Sequence, residues 1–295
     1  MTDRCERHDL TPIGFIGLGA MGAAIAARLA PHVPLLVTDL RAAAVAQLVA
    51  HGGQAASQAE IAQSCTIVFT SLPRTENVRA VILGDGGLAA TMRAGSVVVD
   101  MTTGNPVHDR EFELELARRD VDFADAPVSG GPQAAAEGTL AILVGASDQT
   151  MNRIRPALDL ISSRVDHLGP VGSGHAVKLV NNLLSACNRL STLEAVSIAV
   201  KSGVDLKACI NAINKSSGRS YITESTYPRF LLGEEPVEQN FTVGLMAKDI
   251  TLALDLAADA GLVTRMGSVA RELLSAAVEA LGENADINRL MTFPT

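Results

Sequence analysis

The stretch Ile13–Gly22, IGFIGLGAMG, decides how the first half of the chain folds. A short apolar strand runs directly into the pattern Gly17-x-Gly19-x-x-Gly22, and an alanine-rich helical segment follows to about Ala30. In this strand-to-helix context, glycines allow a tight turn and let backbone amides at the positive helix end approach a pyrophosphate. A glycine-rich turn without a ligand is the alternative. The predicted phosphate-binding residues are Gly17, Leu18, Gly19, Ala20, Met21 and Gly22.

Asp39 ends the next predicted strand, Leu35–Thr38, and stands 22 residues after Gly17. A carboxylate at this place can accept hydrogen bonds from the adenine-ribose hydroxyls, and it would repel a 2′-phosphate. This favours NAD over NADP as the cofactor. Arg41, two residues further on, would weaken the preference. Asp39 could also cap the helix that follows, and the two roles are compatible.

Apolar strands and helical segments alternate through the first half of the chain. Further strands are predicted at Ile67–Thr70, Ser96–Asp100, Phe123–Ala126, Leu140–Val144 and Val165–His167, and helices at Ala42–Val49, Asn77–Leu83 and Asp109–Arg119. This alternation indicates a parallel sheet covered by helices on both faces, with ligands at the carboxyl ends of its strands. Polar turns follow several of these strands, so we expect them to lie at the ligand-binding edge.

The pattern becomes almost purely helical from His175 onward. One helical run extends from there to about Ser202, and further helices are predicted at Leu206–Ile213, Thr242–Ala260 and Met266–Ala280. Pro228, Gly233 and Pro236 indicate a loop between two of them. We therefore predict an α/β domain over residues 11–170 and an all-α domain over 171–295, joined by a long helix.

Composition excludes several classes of protein. With 295 residues, 47% of them hydrophobic, the chain can bury a sizeable core, and a net charge of −8 argues against nucleic acid as a partner. No uninterrupted apolar stretch reaches the ~18 residues of a membrane helix. Residues 1–11 carry both charge signs and lack the apolar core of a signal peptide, and the four cysteines are scattered. We expect a cytoplasmic protein without a bound metal, since the histidines show no metal-ligand spacing.

The segment Gly172–Asn182, GSGHAVKLVNN, carries the strongest indication of chemistry. On a helix, Lys178, Asn181 and Asn182 stand at i, i+3 and i+4, so they share one face. A lysine and two amides on an otherwise apolar helix predict a reacting centre. The alternative is a lysine whose stem covers apolar surface while its amine reaches water. His175 is a rival base, but we expect it to pack near the start of the helix.

Read in order, GFIGLGAMG, DAPVSGGPQAAAEGTL and GHAVKLVNN resemble the beta-hydroxyacid dehydrogenase family. That family includes 3-hydroxyisobutyrate dehydrogenase, tartronate semialdehyde reductase and, more distantly, 6-phosphogluconate dehydrogenase. The resemblance extends from about Ile13 to Ala280. It implies an N-terminal Rossmann domain and a C-terminal all-helical domain, joined by a long interdomain helix.

The resemblance also implies roles for individual residues. Lys178 matches the catalytic lysine and Asn182 the asparagine that orients the substrate. The remaining matches are Ser129, Gly130 and Gly131 in the substrate-binding turn, Thr103 near the nicotinamide and the substrate, Leu72 and Pro73 in the loop over the cofactor, and Lys248, beside Asp249, as a second lysine that contacts cofactor and substrate. Gly104 departs from the family pattern, and we expect it to open space beside the substrate.

These residues suit the oxidation of an alcohol, which needs a hydride acceptor and a base for the hydroxyl proton. A lysine can act as that base only if its pKa falls from ~10.4 towards neutrality, which burial and a positive nicotinamide ring promote. Backbone amides in the turn after Ser129 suit a carboxylate. The predicted function is the reversible, NAD-dependent oxidation of a small 3-hydroxy carboxylic acid resembling 3-hydroxyisobutyrate.

Three further questions stay open at the level of sequence. The alternatives to this function are an NADPH-dependent reductase of a semialdehyde or imine, and a catalytically inactive dinucleotide-binding protein. It is also open whether Arg219 and Tyr221 reach the substrate from the helical domain. The long central helix exceeds what the remaining helical segments can cover, so we expect a homodimer or homotetramer.

Overall fold

The fold is taken from a computed structural model, which describes residues 11–233 and 238–292, without the side chains of Met291 and Thr292. The chain divides into two compact units, Met1–Lys178 and Leu179–Thr295. The segment before Thr11, on which the absence of a signal peptide was argued, and Pro236 lie outside the described residues. The domain limits inferred from the sequence stay a prediction.

A nine-stranded sheet organises the first unit. Its strands are β1 (Ile13–Ile16), β2 (Leu35–Thr38), β3 (Gln54–Ala55), β4 (Ile67–Thr70), β5 (Val97–Asp100), β6 (Asp122–Asp125), β7 (Val128–Ser129), β8 (Ala141–Gly145) and β9 (Arg164–Gly169). The order is β3-β2-β1-β4-β5-β6-β8-β7, with β9 also paired to β8. The six neighbouring strands β3, β2, β1, β4, β5 and β6 are parallel to one another, whereas β8 is antiparallel to both β6 and β7. The sheet is therefore parallel over most of its width, as predicted, and is mixed only at the side of β7 and β8.

Helices cover both faces of this sheet. They are α1 (Ala20–Leu29), α2 (Ala42–Val49), α3 (Gln58–Ser64), α4 (Thr75–Leu83), α5 (Leu88–Thr91), α6 (Pro106–Ala117), α7 (Gly131–Glu137) and α8 (Asp148–Ile161). Neighbouring residues of one strand enter different cores: Val97 and Val99 belong to one buried cluster, and Val98 to the other. Because both faces are buried, the strands read as continuous apolar runs rather than alternating ones.

Several elements were not predicted from the sequence, and α8 is the longest of them. Its start has an ordinary signal, since the Ser147 side chain accepts a hydrogen bond from the Thr150 amide. Met151, Ile154 and Leu158 then bury one face. Pro156 lies inside the helix and weakens the pattern. Packing of the apolar face against the first core outweighs the proline.

The central strands end at the same level of the sheet, so the turns that follow them lie together at its carboxyl edge. The residue after each strand donates its amide to the last carbonyl of a neighbouring strand. These bonds are Gly17 N to Thr38 O at 3.0 Å, Ser71 N to Ile16 O at 2.9 Å, Met101 N to Thr70 O at 2.8 Å and Ala126 N to Asp100 O at 2.7 Å. The carboxyl edge of β2, β1, β4, β5 and β6 therefore carries the glycine loop, Asp39 and the turns after β4, β5 and β6, as predicted for a sheet of this kind.

The second unit is helical. Its elements are the greater part of α9 (Ser173–Lys201), α10 (Leu206–Ile213), a π-helix (Ile222–Leu231), α11 (Val243–Asp259), α12 (Arg265–Leu281) and a 3-10 helix (Ile287–Thr292). Two apolar clusters form its cores. An α/β unit followed by a helical one, with a long helix between them, confirms the predicted fold class.

The π-helix overturns the loop that was predicted around Pro228. The wider turn is seen in the hydrogen bond from Leu232 N to Tyr227 O, five residues back, at 3.0 Å. Ile222 and Tyr227 are almost fully buried in the smaller cluster of this unit. Burial of these side chains holds the segment helical although proline supplies no amide donor.

Removing the hydroxyl of Thr70 tests how strongly the strand ends are joined. Thr70 Oγ1 donates to Asp100 Oδ1 at 2.8 Å, and both residues are buried. Thr70→Val keeps the shape but removes one donor from a buried carboxylate, so we expect opening of β4 and β5 to become easier by about 1.5–3 kcal/mol. Native-state hydrogen exchange of their backbone amides measures this free energy.

Thr91→Val is the matched control, because its half-buried hydroxyl donates to a neutral carbonyl, Gly87 O, at 2.8 Å. We expect a loss of about 1 kcal/mol or less there. Equal losses in the two variants would contradict a special contribution from the Asp100 carboxylate.

Candidate active site

The glycine loop is shaped by close backbone approaches. Gly17 has φ +96°, and a Cβ on it would lie 2.3 Å from Ser71 O. A Cβ on Gly22 would lie 2.1 Å from Gly17 O, so neither position accepts a side chain. A Cβ on Gly19 would meet no atom within 4 Å, which leaves open space at the start of α1. The first turn of α1 carries no acidic residue and no side-chain cap, so its amides remain available to an anion.

Asp39 and Arg41 form a pair that closes onto this loop. Asp39 Oδ2 accepts from Leu18 N at 2.6 Å, and Oδ1 accepts from Arg41 N at 2.8 Å and Nε at 3.1 Å. Arg41 Nη2 in turn donates to Leu18 O at 2.8 Å. Partial burial would raise the pKa of Asp39, but the hydrogen bonds from Arg41 and Leu18 lower it below its usual value. The helix cap that was considered for Asp39 is absent, since Arg41 occupies the N-cap position of α2.

The turns after β4 and β5 are connected through Thr102. Leu72 N donates to Thr102 Oγ1 at 3.0 Å, and Thr102 N donates to Asp100 Oδ1 at 3.0 Å. Thr103, the next residue, is half-buried, and Pro73 is exposed. The loop predicted to lie over the cofactor is thus hydrogen-bonded to Thr102, the residue directly before the Thr103 that was predicted to lie near the nicotinamide.

The serine-glycine turn follows β7 at the side of the sheet where β8 runs antiparallel. Ser129 is half-buried and pairs with Ala141 of β8. Gly130 has φ +136° and Gly131 φ +78°, conformations that side-chain-bearing residues rarely adopt. These two residues begin α7, whose first turn has no acidic side chain. The turn therefore presents backbone donors of the kind that bind carboxylates.

A histidine is completely buried where α9 begins. His175 Nδ1 lies 2.7 Å from Asp109 Oδ2, and Nε2 lies 2.5 Å from Thr102 O. Asp125 accepts from Gly172 N and His175 N, both at 2.7 Å. Burial by itself would lower the pKa of His175, but the surrounding carboxylates, Asp109 first, raise it to about 10. The three carboxylates around the ring therefore favour its protonated form.

The same residues satisfy the spacing of a metal site, because ligand atoms of Asp100, Asp109 and His175 lie within 4.8 Å of one another. Their hydrogen bonds point to a different role. A carbonyl oxygen can only accept, so His175 Nε2 carries a proton towards Thr102 O, and Nδ1 faces a carboxylate. Neither ring nitrogen then offers a lone pair, and the expectation of no metal stays a prediction.

The structure corrects the interpretation of Gly104. A Cβ on this residue would lie 2.9 Å from His175 Cε1 and 3.3 Å from both ring nitrogens. The space that glycine leaves is therefore filled by the imidazole and is not open beside a substrate. Its φ is not in the positive range, so the ring alone explains the glycine.

Lys178 and Asn182 are one turn apart on α9, and each residue is only 7% exposed. Lys178 closes the first unit, and Asn182 belongs to the second. In the second unit, Asn182 Nδ2 donates to Asp249 Oδ2 at 2.6 Å. Lys248 Nζ lies 3.1 Å from Asp249 Oδ1, so the structure brings both predicted residues of this unit to one carboxylate.

Two family models match the chain in succession. The NAD binding domain of 6-phosphogluconate dehydrogenase matches residues 12–169, and the NAD-binding domain of NADP-dependent 3-hydroxyisobutyrate dehydrogenase matches residues 172–293. The chain belongs to the beta-hydroxyacid dehydrogenase family. The two matches confirm the resemblance to this family that the three sequence motifs indicated.

Relatives of this beta-hydroxyacid dehydrogenase cover nearly its full length. The 2-(hydroxymethyl)glutarate dehydrogenase of Eubacterium barkeri is 39% identical over 263 residues, 88% of this chain and 87% of the relative. The NAD-dependent L-serine dehydrogenase of Pseudomonas aeruginosa is 35% identical over 268 residues, 88% and 90% of the two chains. A structure of Mycobacterium tuberculosis 3-hydroxyisobutyrate dehydrogenase with L-serine superposes with a TM-score of 0.86 at 29% identity, covering 96% of this chain and 98% of that one.

These matches confirm that the protein is an oxidoreductase that acts on hydroxy acids, and they confirm NAD as its cofactor. The individual roles of the site residues stay predictions. Sequence reasoning gave no role to Asp100, Asp109 or Asp125. Asp100 and Asp125 end apolar strands, which is an available signal, whereas Asp109 lies on a helix and offered none. Arg219 and Tyr221 are exposed, with Arg219 Nη1 3.9 Å from Glu224 Oε1.

Removing Arg41 tests its effect on cofactor choice. The guanidinium neutralises Asp39, so Arg41→Ala should leave an uncompensated carboxylate beside the adenine ribose. We expect the ratio of kcat/KM with NAD to that with NADP to rise about fivefold, because the 2′-phosphate then meets a stronger repulsion. Initial rates with each cofactor at low ionic strength measure the ratio.

Asp39→Ala should change the same ratio in the opposite direction. Arg74→Ala, at an exposed arginine before α4, is the control for a general loss of positive charge. A ratio that moves equally in the Arg41 and Arg74 variants would contradict the proposed pairing effect.

Proposed function

We propose that the protein catalyses the reversible NAD-dependent oxidation of a small 3-hydroxy carboxylate to the corresponding semialdehyde or keto acid, with Lys178 as general acid and base. The observation that carries this proposal is the burial of Lys178 on α9, one turn before the equally buried Asn182. Burial disfavours the charged form of an amine, as base catalysis by lysine requires. A lysine that only covered apolar surface would extend its amine into solvent.

Lys178 and Asn182 have different roles in the proposed reaction. NAD, when bound, would supply the acceptor for the hydride that leaves the carbinol carbon. The neutral amine of Lys178 takes the hydroxyl proton, and in the reverse direction the ammonium returns it to the carbonyl oxygen. Asn182 orients the reacting oxygen by a hydrogen bond from its amide.

Asp249 fixes how Asn182 presents its amide. An ionised carboxylate only accepts hydrogen bonds, so the NH₂ group of Asn182 faces Asp249 Oδ2. The side-chain oxygen of Asn182, Oδ1, accepts from Asn181 Nδ2 at 3.1 Å. Asp249 is 2% exposed and also holds the ammonium of Lys248 within 3.1 Å of Oδ1. Asp249 is therefore a positioning residue for both predicted residues of its unit.

The names of the relatives narrow the substrate class. L-serine, 3-hydroxyisobutyrate and 2-(hydroxymethyl)glutarate, named in those proteins, share a hydroxymethyl group on the carbon next to a carboxylate. They differ only in the third substituent of that carbon. We propose the same common core for this protein, with the carboxylate on the amides after Ser129 and with Thr103 and Lys248 in contact with substrate and cofactor. The turn at Gly130 and Gly131, with its two positive φ angles, supports this assignment.

The preference for NAD over NADP is proposed from the carboxylate of Asp39 at the glycine loop. The alternative of an NADPH-dependent imine reductase is disfavoured by Lys178, because an iminium substrate has no hydroxyl proton for a base to remove. An inactive dinucleotide-binding protein has no need of a buried lysine beside Asn182. A cytoplasmic location is proposed from the free thiols at Cys65, Cys187 and Cys209. No helix within residues 11–233 and 238–292 has the length and apolar character to cross a membrane.

Substituting Lys178 tests the proposed function most directly. Lys178→Ala should lower kcat at least 10³-fold with 3-hydroxyisobutyrate, L-serine or 2-(hydroxymethyl)glutarate, while the dissociation constant of NAD changes less than about threefold. Lys178→Arg is the matched control: it keeps the positive charge but cannot give up its proton near neutral pH. Near-normal turnover in either variant would contradict the role of Lys178 as general acid and base.

We further propose a homo-oligomer that buries one face of α9. Val180, Leu184 and Ile198 share this face and are exposed by 52%, 59% and 69%. The positions between them on the face, Asn188, Ser191 and Ala195, are exposed and uncharged. A stripe of five helical turns without a charge is unusual for a surface that faces water.

Leu184→Glu should shift the protein towards the monomer, because two or more buried glutamates would lack partners in the assembly. Light scattering after size exclusion measures the mass. Leu114→Glu is the control, since Leu114 is 67% exposed on α6. A wild-type protein that is monomeric at all concentrations would overturn the proposal.

A further inference from the structure

The buried residue His175 connects three separate parts of the first unit, two through its ring and one through its backbone amide. Its Nε2 holds Thr102 O in the turn after β5, its Nδ1 faces Asp109 on α6, and its backbone amide is bound by Asp125 at the end of β6. No part of the side chain is exposed, so it cannot touch a substrate.

The turn after β5 is built around this ring. Gly104 is the residue whose Cβ would strike the imidazole, with Cε1 at 2.9 Å. Thr103 lies between that glycine and the carbonyl that His175 binds. The ring therefore borders the turn on both sides of Thr103, by a hydrogen bond before it and, after it, by filling the space that a side chain at residue 104 would need.

We propose that His175 is a positioning residue that holds the turn Thr102–Gly104 so that Thr103 supports the nicotinamide ring. The proposal rests on the proposed function, because Thr103 is assigned to the nicotinamide by family resemblance. It makes His175 act through the turn, and not as a base or a metal ligand. The adenine and pyrophosphate contacts, at Asp39 and the glycine loop, involve other strands.

The raised pKa of His175 supports this arrangement, because the imidazolium donates from both ring nitrogens. The groups that face it are Asp109 from α6, Asp125 from β6 and Asp100 from β5. In nitrogen-15 spectra of the wild-type protein at pH 8.5, one histidine should remain doubly protonated and should vanish in His175→Ala. A neutral His175 at that pH would overturn the proposed donation from both nitrogens.

Binding of NAD and of ADP-ribose separates positioning from stability. ADP-ribose keeps the adenine and pyrophosphate but lacks the nicotinamide. We expect the double variant His175→Ala with Asp109→Asn, which avoids an unpaired buried charge, to weaken NAD about tenfold and ADP-ribose less than twofold at a temperature well below Tm. His32→Asn, at an exposed histidine, should leave both dissociation constants unchanged. Equal changes for the two ligands, or none, would overturn the proposal.

Gly104→Ala tests the ring contact itself. In the wild-type background it should displace the imidazole and weaken NAD about tenfold, whereas in the His175→Ala background it should have little further effect. Full additivity of the two substitutions would show that the contact is not the cause.

These binding measurements need no turnover and no known hydroxy acid. A failure of Lys178→Ala to abolish activity would therefore contradict the proposed function alone. A wild-type protein that bound NAD no more tightly than ADP-ribose would contradict the positioning of the nicotinamide by this turn.

Discussion

Three carboxylates, those of Asp100, Asp109 and Asp125, are buried together with the ring of His175 at the ends of β5 and β6 and the start of α9. A buried carboxylate is costly unless it is paired and hydrogen-bonded. Here each acid has donors: Asp100 from Thr70 and Thr102, Asp125 from two backbone amides, and Asp109 from the ring of His175. The cluster therefore fixes several backbone turns at once, because every one of these bonds has to be kept.

The turns fixed in this way are those that family resemblance assigns to the cofactor. Thr102 is bound on its carbonyl by His175, on its amide by Asp100 and on its hydroxyl by the amide of Leu72. Movement of the loop at Leu72 would break its bond to the Thr102 hydroxyl, whereas movement of the turn at Thr103 would break the bonds of Thr102 to Asp100 and His175, which are buried charged groups. Such bonds contribute about 1.5–3 kcal/mol each, so the edge of the sheet is held rigid before a ligand arrives.

Pattern reasoning found most of the fold because its signals are local. The apolar runs at Ile67–Thr70 and Leu35–Thr38 have the bounds of the observed strands, and the helix at Leu206–Ile213 is likewise reproduced. The errors occur where packing outweighs a local signal. The proline in the π-helix suggested a loop, and α8, which contains a proline, was not predicted at all, yet buried side chains hold both segments helical.

The sequence by itself determined the family, the glycine loop, the carboxylate at position 39 and the lysine and asparagine of α9, because each depends on residue type and short spacing. Only the tertiary structure decided why residue 104 is a glycine and which groups surround His175. The atoms that meet there are 71 positions apart in the chain, and the spacing of residues gives no measure of such a contact. The orientation of Asn182 is decided in the same way, by a carboxylate 67 residues away that can only accept a hydrogen bond.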